Sequence, residues 1–194
     1  MSRISHSSTV SRYSPTAIFL HWVVAALIGV AWLLPQLTDI VPGKEARIVI
    51  ELHRSLGMTV LGIVFLRAVW RFVSPPPALP IETPDAIRWA SHLGHGALYL
   101  LMLAVPVLGM LYTWASGRDL SFWGLFVIPA PFAQNDALRG VFIDLHALTA
   151  NAIMALAGLH AAAALFHQYV LKDGLLERML PARSKTSRHT DALV

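Results

Sequence analysis

The sequence predicts an all-α membrane protein, a transmembrane four-helix bundle. Two observations carry that class. Of 194 residues, 56% are hydrophobic and only 13% charged, whereas a soluble domain carries about 25% charged residues. The mean hydropathy is +0.59. The apolar residues also gather into four runs, parted by proline- and glycine-bearing loops, and a helix needs about 20 such residues to cross hydrocarbon. Four spans with their connections fill the chain as one bundle over residues 15–171, with no room for a second domain.

Residues 1–14 form a polar, serine-rich tail with Arg3 and Arg12. It resembles the start of a signal peptide, but the apolar run that follows, 16–34, exceeds the about 7–15 residues of a signal core and shows no small-residue cleavage site. It is expected to stay as the first helix, with Pro15 in the first turn, where its missing N–H costs nothing. The second helix is expected over 46–72 and is stopped by Ser74-Pro75-Pro76-Pro77. A proline-rich run to Pro84 reads as a stiff linker. The third helix, 86–114, holds Pro106 as a kink. The loop 115–140 carries the aromatic patch Phe122-Trp123-Gly124-Leu125-Phe126, which reads as an interfacial belt rather than a docking surface. The fourth helix is expected over 141–169, and residues 172–194 form a basic tail.

Lys and Arg set the orientation. With the N-terminus inside, the inner side holds Arg3, Arg12, Arg67, Arg71, Arg88, Lys172, Arg178, Arg183, Lys185 and Arg188. The outer side holds five: Lys44, Arg47, Arg54, Arg118 and Arg139. That excess predicts both termini on the cytoplasmic side. The net charge of +4 therefore reads as topology and lipid contact, with no nucleic acid as partner.

Cysteine is absent. This excludes disulfides, cysteine-held iron–sulfur clusters and haem attached through C-x-x-C-H. Histidine is plentiful, with nine residues. His146 and His160 lie fourteen residues apart in the fourth run, about 21 Å along a helix and nearly on one face. Between them the long side chains are apolar: Leu148, Ile153, Met154, Leu156 and Leu159. Ionisable groups inside a membrane helix mark functional sites.

Depth supplies their partners. His53 enters the second helix on the outer side, level with His146. His21 enters the first helix on the inner side, level with His160. Two bis-histidine sites are expected, one per leaflet, each suited to the two axial positions of a haem iron. His167 shares the His146 face but stands at the membrane edge, so His160 is taken as the ligand. Gly57 and Gly158 leave room for a flat macrocycle. Arg67 and Arg71 fall near the His53 face at the inner end. They read either as snorkelling anchors or as partners of haem propionates. His92 and His95, three residues apart, read as capping and interfacial residues or as contacts to a quinone or haem edge. His167 and Lys172 join them as quinone-site candidates. His6 and His189 carry no function.

These pieces resemble the bacterial di-haem cytochrome b561 family over about residues 12–183. The resemblance rests on Arg12-Tyr13-Ser14-Pro15 with Leu20-His21-Trp22, on His53-Arg54-Ser55-Leu56-Gly57, and on Arg67-Ala68-Val69-Trp70-Arg71-Phe72. Further on it rests on Ser91-His92-Leu93-Gly94-His95 with Tyr99, and on Leu159-His160 through Lys172-Asp173. It implies four haem ligands, carried onto His21, His53, His146 and His160, two haem b groups, and a place in a bacterial inner membrane. Within the family the chain is similar to the superoxide oxidase branch. Shared pieces are His92-Leu93-Gly94-His95, Pro106-Val107-Leu108-Gly109, Trp123-Gly124-Leu125 and Met179-Leu180-Pro181-Ala182-Arg183. That implies superoxide as electron donor and ubiquinone as acceptor. The alternatives are a cytochrome b anchor that relays electrons from a partner dehydrogenase to quinone, and a membrane bundle whose histidines bind no haem. Monomer and homodimer both stay open.

Overall fold

The computed structural model describes residues 12–77 and 84–181. Most of the serine-rich start, the middle of the proline linker, and the tail with Arg183, Lys185 and Arg188 lie outside the described residues.

Four long helices follow in order: α1, Pro15–Gln36; α2, Lys44–Val73; α3, Asp85–Ala115; and α4, Asp136–Phe166. Each is long and apolar enough to cross a membrane. Ser14 caps α1, its hydroxyl accepting from the Ala17 N–H at 3.4 Å, and Pro15 takes the first helical position. The same hydroxyl accepts from Trp70 Nε1 at 3.0 Å, tying the start of α1 to the end of α2. Ser74 ends α2, since a residue before proline is driven out of helical geometry.

The fourth helix begins five residues before the expected 141. Asn135 is the reason. Its side-chain oxygen accepts from the Leu138 N–H at 3.1 Å, so a cap, not the onset of hydropathy, sets the start. Past Phe166 the backbone continues as a wider π turn, His167–Leu171, and stops where Lys172 turns left-handed at φ +55.

The long loop departs from the all-α expectation. It holds a small antiparallel hairpin, β1, Leu120–Phe122, and β2, Phe126–Ile128, with Ser121 opposite Val127. Trp123 and Gly124 both take positive φ, +51 and +71, as the tight turn of a hairpin demands. Strands of three residues are too short to show an alternating pattern, so the sequence reads as loop.

Helix α1 packs on α2, α2 on α3, and α3 on α4. The core is a layer of Val24, Val60, Val64, Met102 and Ile153. Outside it, Phe19, Phe65, Phe72, Leu100, Leu148 and Leu159 are exposed, which in a membrane is contact with lipid. The first and last described residues lie on one side of the bundle. Tyr13 N–H donates to the Arg178 carbonyl at 3.1 Å, and Trp22 Nε1 donates to the Met179 carbonyl at 2.9 Å. Arg178, buried, donates to the Pro77 carbonyl. The segment after α4 thus clasps both the start of α1 and the chain leaving α2.

Candidate functional site

A helix fixes the depth of every side chain. Helices α2 and α4 cross in the same direction, so His53, in the third turn of α2, meets His146, in the matching turn of α4, while α1 runs against α4 and its His21 meets His160. The ring centres stand 5.9 Å apart in the first pair, at an interplanar angle of 88°. In the second they stand 6.3 Å apart at 71°. A metal–imidazole bond is about 2.0–2.1 Å and the ring centre lies about 1 Å beyond the nitrogen, so two rings across one metal stand roughly 6 Å apart. Both pairs have that spacing.

Ile153 lies seven residues from each of His146 and His160, and Val60 lies seven after His53. The core layer therefore sits between the pairs, an apolar partition about 10 Å from either by helix rise.

The His53–His146 pair is braced by main chain. His53 Nδ1–H donates to the Ala31 carbonyl at 2.8 Å, and His146 Nδ1–H donates to the Val105 carbonyl at 2.9 Å. With the proton held on Nδ1, each neutral ring keeps its Nε2 lone pair, the form that binds metal. A cavity of about 470 Å³ opens beside them, lined by residues of all four helices that include Gly57, Gly109, Met110 and Ile153. Its polar margin holds Arg54 and Arg118. Arg54 is ion-paired with Glu51, so it enters the site already partnered. The hairpin roofs this end. Ser55, buried in α2, accepts from the Trp123 backbone N–H at 3.1 Å, and Trp123 Nε1 donates to Thr59 Oγ1 at 3.0 Å.

The His21–His160 pair is set differently. An Nη1–H of Arg67 donates to His21 Nδ1 at 2.9 Å, and its Nε–H donates to the Tyr99 hydroxyl at 3.2 Å. The guanidinium carbons of Arg67 and Arg71 lie 5.8 and 5.9 Å from the centre of the Tyr99 ring, within cation–π range. His95 of α3 comes to 5.3 Å from His160, centre to centre. His92 does not join it. It is exposed and donates back to the Arg88 carbonyl at 2.7 Å, because three residues turn it away from the bundle. His167 pairs with Asp173 past the end of the helix. Slight burial pushes the Asp173 carboxyl up, but hydrogen bonds from His167 and the Leu175 N–H outweigh it and hold the group below its ordinary value. Lys172 is exposed one residue before it.

Ala31 and Val105 escape a reading by residue type, since they act through carbonyls that every residue has; Gly109 does leave a trace in sequence, as a glycine.

A family model described as prokaryotic cytochrome b561 matches residues 12–182. The chain is 34% identical over 173 residues to "Probable superoxide oxidase CybB" of Yersinia pestis, covering 89% of this chain and 97% of that protein. It is 33% identical over 184 residues to "Cytochrome b561 homolog 2" of Escherichia coli (strain K12), covering 91% and 95%. It is 36% identical over 177 residues to "Cytochrome b562" of Cereibacter sphaeroides, covering 88% and 96%.

Proposed function

This chain belongs to the prokaryotic cytochrome b561 family, and on that premise we propose that it carries electrons across the membrane from superoxide, on the outer side, to a quinone. Membership makes it a multi-pass membrane electron-transfer protein of a kind that carries haem b. The reading rests above all on one observation: two histidine pairs, with ring centres 5.9 and 6.3 Å apart, on opposite sides of an apolar layer.

His53 and His146 would hold one haem b, and His21 and His160 a second. The outer pair suits this as it stands, with both Nδ1 protons committed to carbonyls and both lone pairs left for iron. At the inner pair, ligation through Nε2 would place a proton on His21 Nδ1. That nitrogen could then no longer accept from Arg67. The guanidinium would turn to another acceptor, and a propionate beside Arg67 and Arg71 is the natural one. Bound in these places, haem iron alternates between its ferrous and ferric forms and carries one electron at a time.

The protein's own contribution is placement and exclusion. The four imidazoles would supply both protein ligands of each haem iron, which suits electron transfer rather than oxygen binding. Val24, Val60, Val64, Met102 and Ile153 keep water from the space between the pairs. At the outer end Arg118 faces the cavity and favours an anion such as superoxide. Two superoxide anions give two dioxygen molecules and two electrons, and a quinone takes those electrons with two protons from the inner side. His92, His95, His167 and Lys172 are the candidates for holding that quinone. The inner-side excess of Lys and Arg supports both termini in the cytoplasm, and membership of a prokaryotic membrane family supports the inner membrane. His21 and His160 then face the cytoplasmic leaflet.

The test is to supply purified protein with a superoxide source and ubiquinone. Quinol formation with no partner enzyme supports the reading. Reduction that occurs only with a partner dehydrogenase replaces superoxide with the anchor-subunit role.

A further inference from the structure

Arg67 and Arg71 sit one turn apart on α2, a spacing at which like charges repel. Among the described residues neither guanidinium is ion-paired with a carboxylate. What the two share is Tyr99 of α3. The Arg67 Nε–H donates to its hydroxyl at 3.2 Å. The guanidinium carbons of Arg67 and Arg71 lie 5.8 and 5.9 Å from the centre of its ring, near enough for the aromatic face to attract both charges. The three side chains line one small cavity of about 20 Å³ with Trp70 and Ser74, room for one water-sized polar group.

The two hydrogen bonds of Arg67 have different fates. Its Nη1–H donates to His21 Nδ1 at 2.9 Å. Ligation of iron through His21 Nε2 would put a proton on that Nδ1 and end the bond. The bond from the Nε–H to Tyr99 makes no use of His21 and is kept. A phenol oxygen that accepts from arginine also retains its own O–H as a donor, so Tyr99 can offer that donor to the same anion that the guanidinium faces.

We infer that Tyr99 is a positioning residue. Its hydroxyl and ring hold Arg67 and Arg71 side by side as one carboxylate-binding pair, and keep Arg67 at the inner end when His21 serves as a ligand. The carboxylate they are held for is a haem propionate, which arginine recognises through paired N–H donors. The inference rests on the proposed inner haem at His21 and His160; what it adds is the residue of α3 that poses the arginines of α2.

Tyr99→Phe keeps the ring and removes the hydroxyl, and Tyr99→Leu removes both. Each is made in the full-length, haem-loaded protein, alone and together with Arg67→Gln. The readouts are the midpoint potential of each haem, haem per chain and the low-spin EPR signals. A cation beside a haem favours the ferrous form, because it attracts the electron gained on reduction. Loosening the guanidinium is therefore expected to lower the inner potential in Tyr99→Phe, and to lower it further in Tyr99→Leu. The outer potential and both bis-histidine EPR signals are expected to stay as in wild type. In the Arg67→Gln background Tyr99→Phe is expected to shift nothing more, since contacting residues that act through one another are not additive. An unchanged inner potential in Tyr99→Phe overturns the inference, and so does a shift of the same size with and without Arg67. Equal shifts of both haems would make Tyr99 a residue of the fold and overturn it as well. Wild-type protein with no haem at the inner end overturns the ligation reading and the role of Tyr99 with it, a failure that the wild-type spectrum alone tells apart.

Discussion

The ring of His146 rests directly on Gly109: a Cβ at position 109 would stand 3.0 Å from His146 Cε1 and 3.2 Å from its Nδ1. Val105, whose carbonyl holds that Nδ1, lies one turn earlier on the same helix. One face of α3 therefore supplies both the space and the acceptor for the ring. Gly109→Ala is expected to displace His146 and weaken the outer haem about 10- to 100-fold, leaving the inner haem in place. Haem per chain and the two α-band components of the reduced spectrum measure it. Equal loss of both haems would show that Gly109 serves the fold and not this ring.

The pairing predicts which haem each histidine controls. His160→Ala should bring the protein from two haems to one and spare the outer site. His53→Ala should do the reverse. Redox titration of each variant identifies the survivor. Loss of the outer haem in His160→Ala would overturn the pairing.

Ser55 is the pin of the outer roof. It is buried, it accepts from the Trp123 N–H, and its hydroxyl lies 3.4 Å from the Ser121 carbonyl. Ser55→Ala leaves the Trp123 N–H without its partner and is expected to cost about 1–3 kcal/mol, a fall of several degrees in melting temperature for a chain of this size. Thermal melting followed by circular dichroism decides this. An unchanged midpoint would mean that the hairpin is not held through Ser55.

The absence of cysteine makes the topology directly testable. Single cysteines at Arg139, at the start of α4, and at Asp85, at the start of α3, lie at opposite ends of the bundle. In vesicles that keep the cellular orientation, an impermeant thiol reagent added outside should label Arg139→Cys and not Asp85→Cys. The opposite pattern would invert the proposed orientation.

Much of this arrangement is legible in the sequence because helices turn residue spacing into distance. The step from His146 to His160 and the depths of His21 and His53 require nothing beyond rise per residue, and the rings meet in the pairs so expected. What escapes the sequence is whatever depends on the path of the backbone. The carbonyls of Ala31 and Val105 carry no residue signature. The start of α4 rests on Asn135 and precedes the continuous apolar run. The hairpin at Leu120–Ile128 is too short to show a period. His92 and His95 look equivalent at a spacing of three, yet only the packing of α3 against α4 puts one on His160 and the other outside. Arg67, read from the sequence as a snorkelling anchor or a propionate partner, also lies on His21 and Tyr99, a contact that spacing along α2 cannot reveal.

The account stands or falls on the optical spectrum of the purified protein, with haem quantified per chain. It predicts two haem b groups per chain, both six-coordinate and low-spin, reduced by superoxide and reoxidised when ubiquinone is added. A colourless protein, or one with a single high-spin haem, would contradict it.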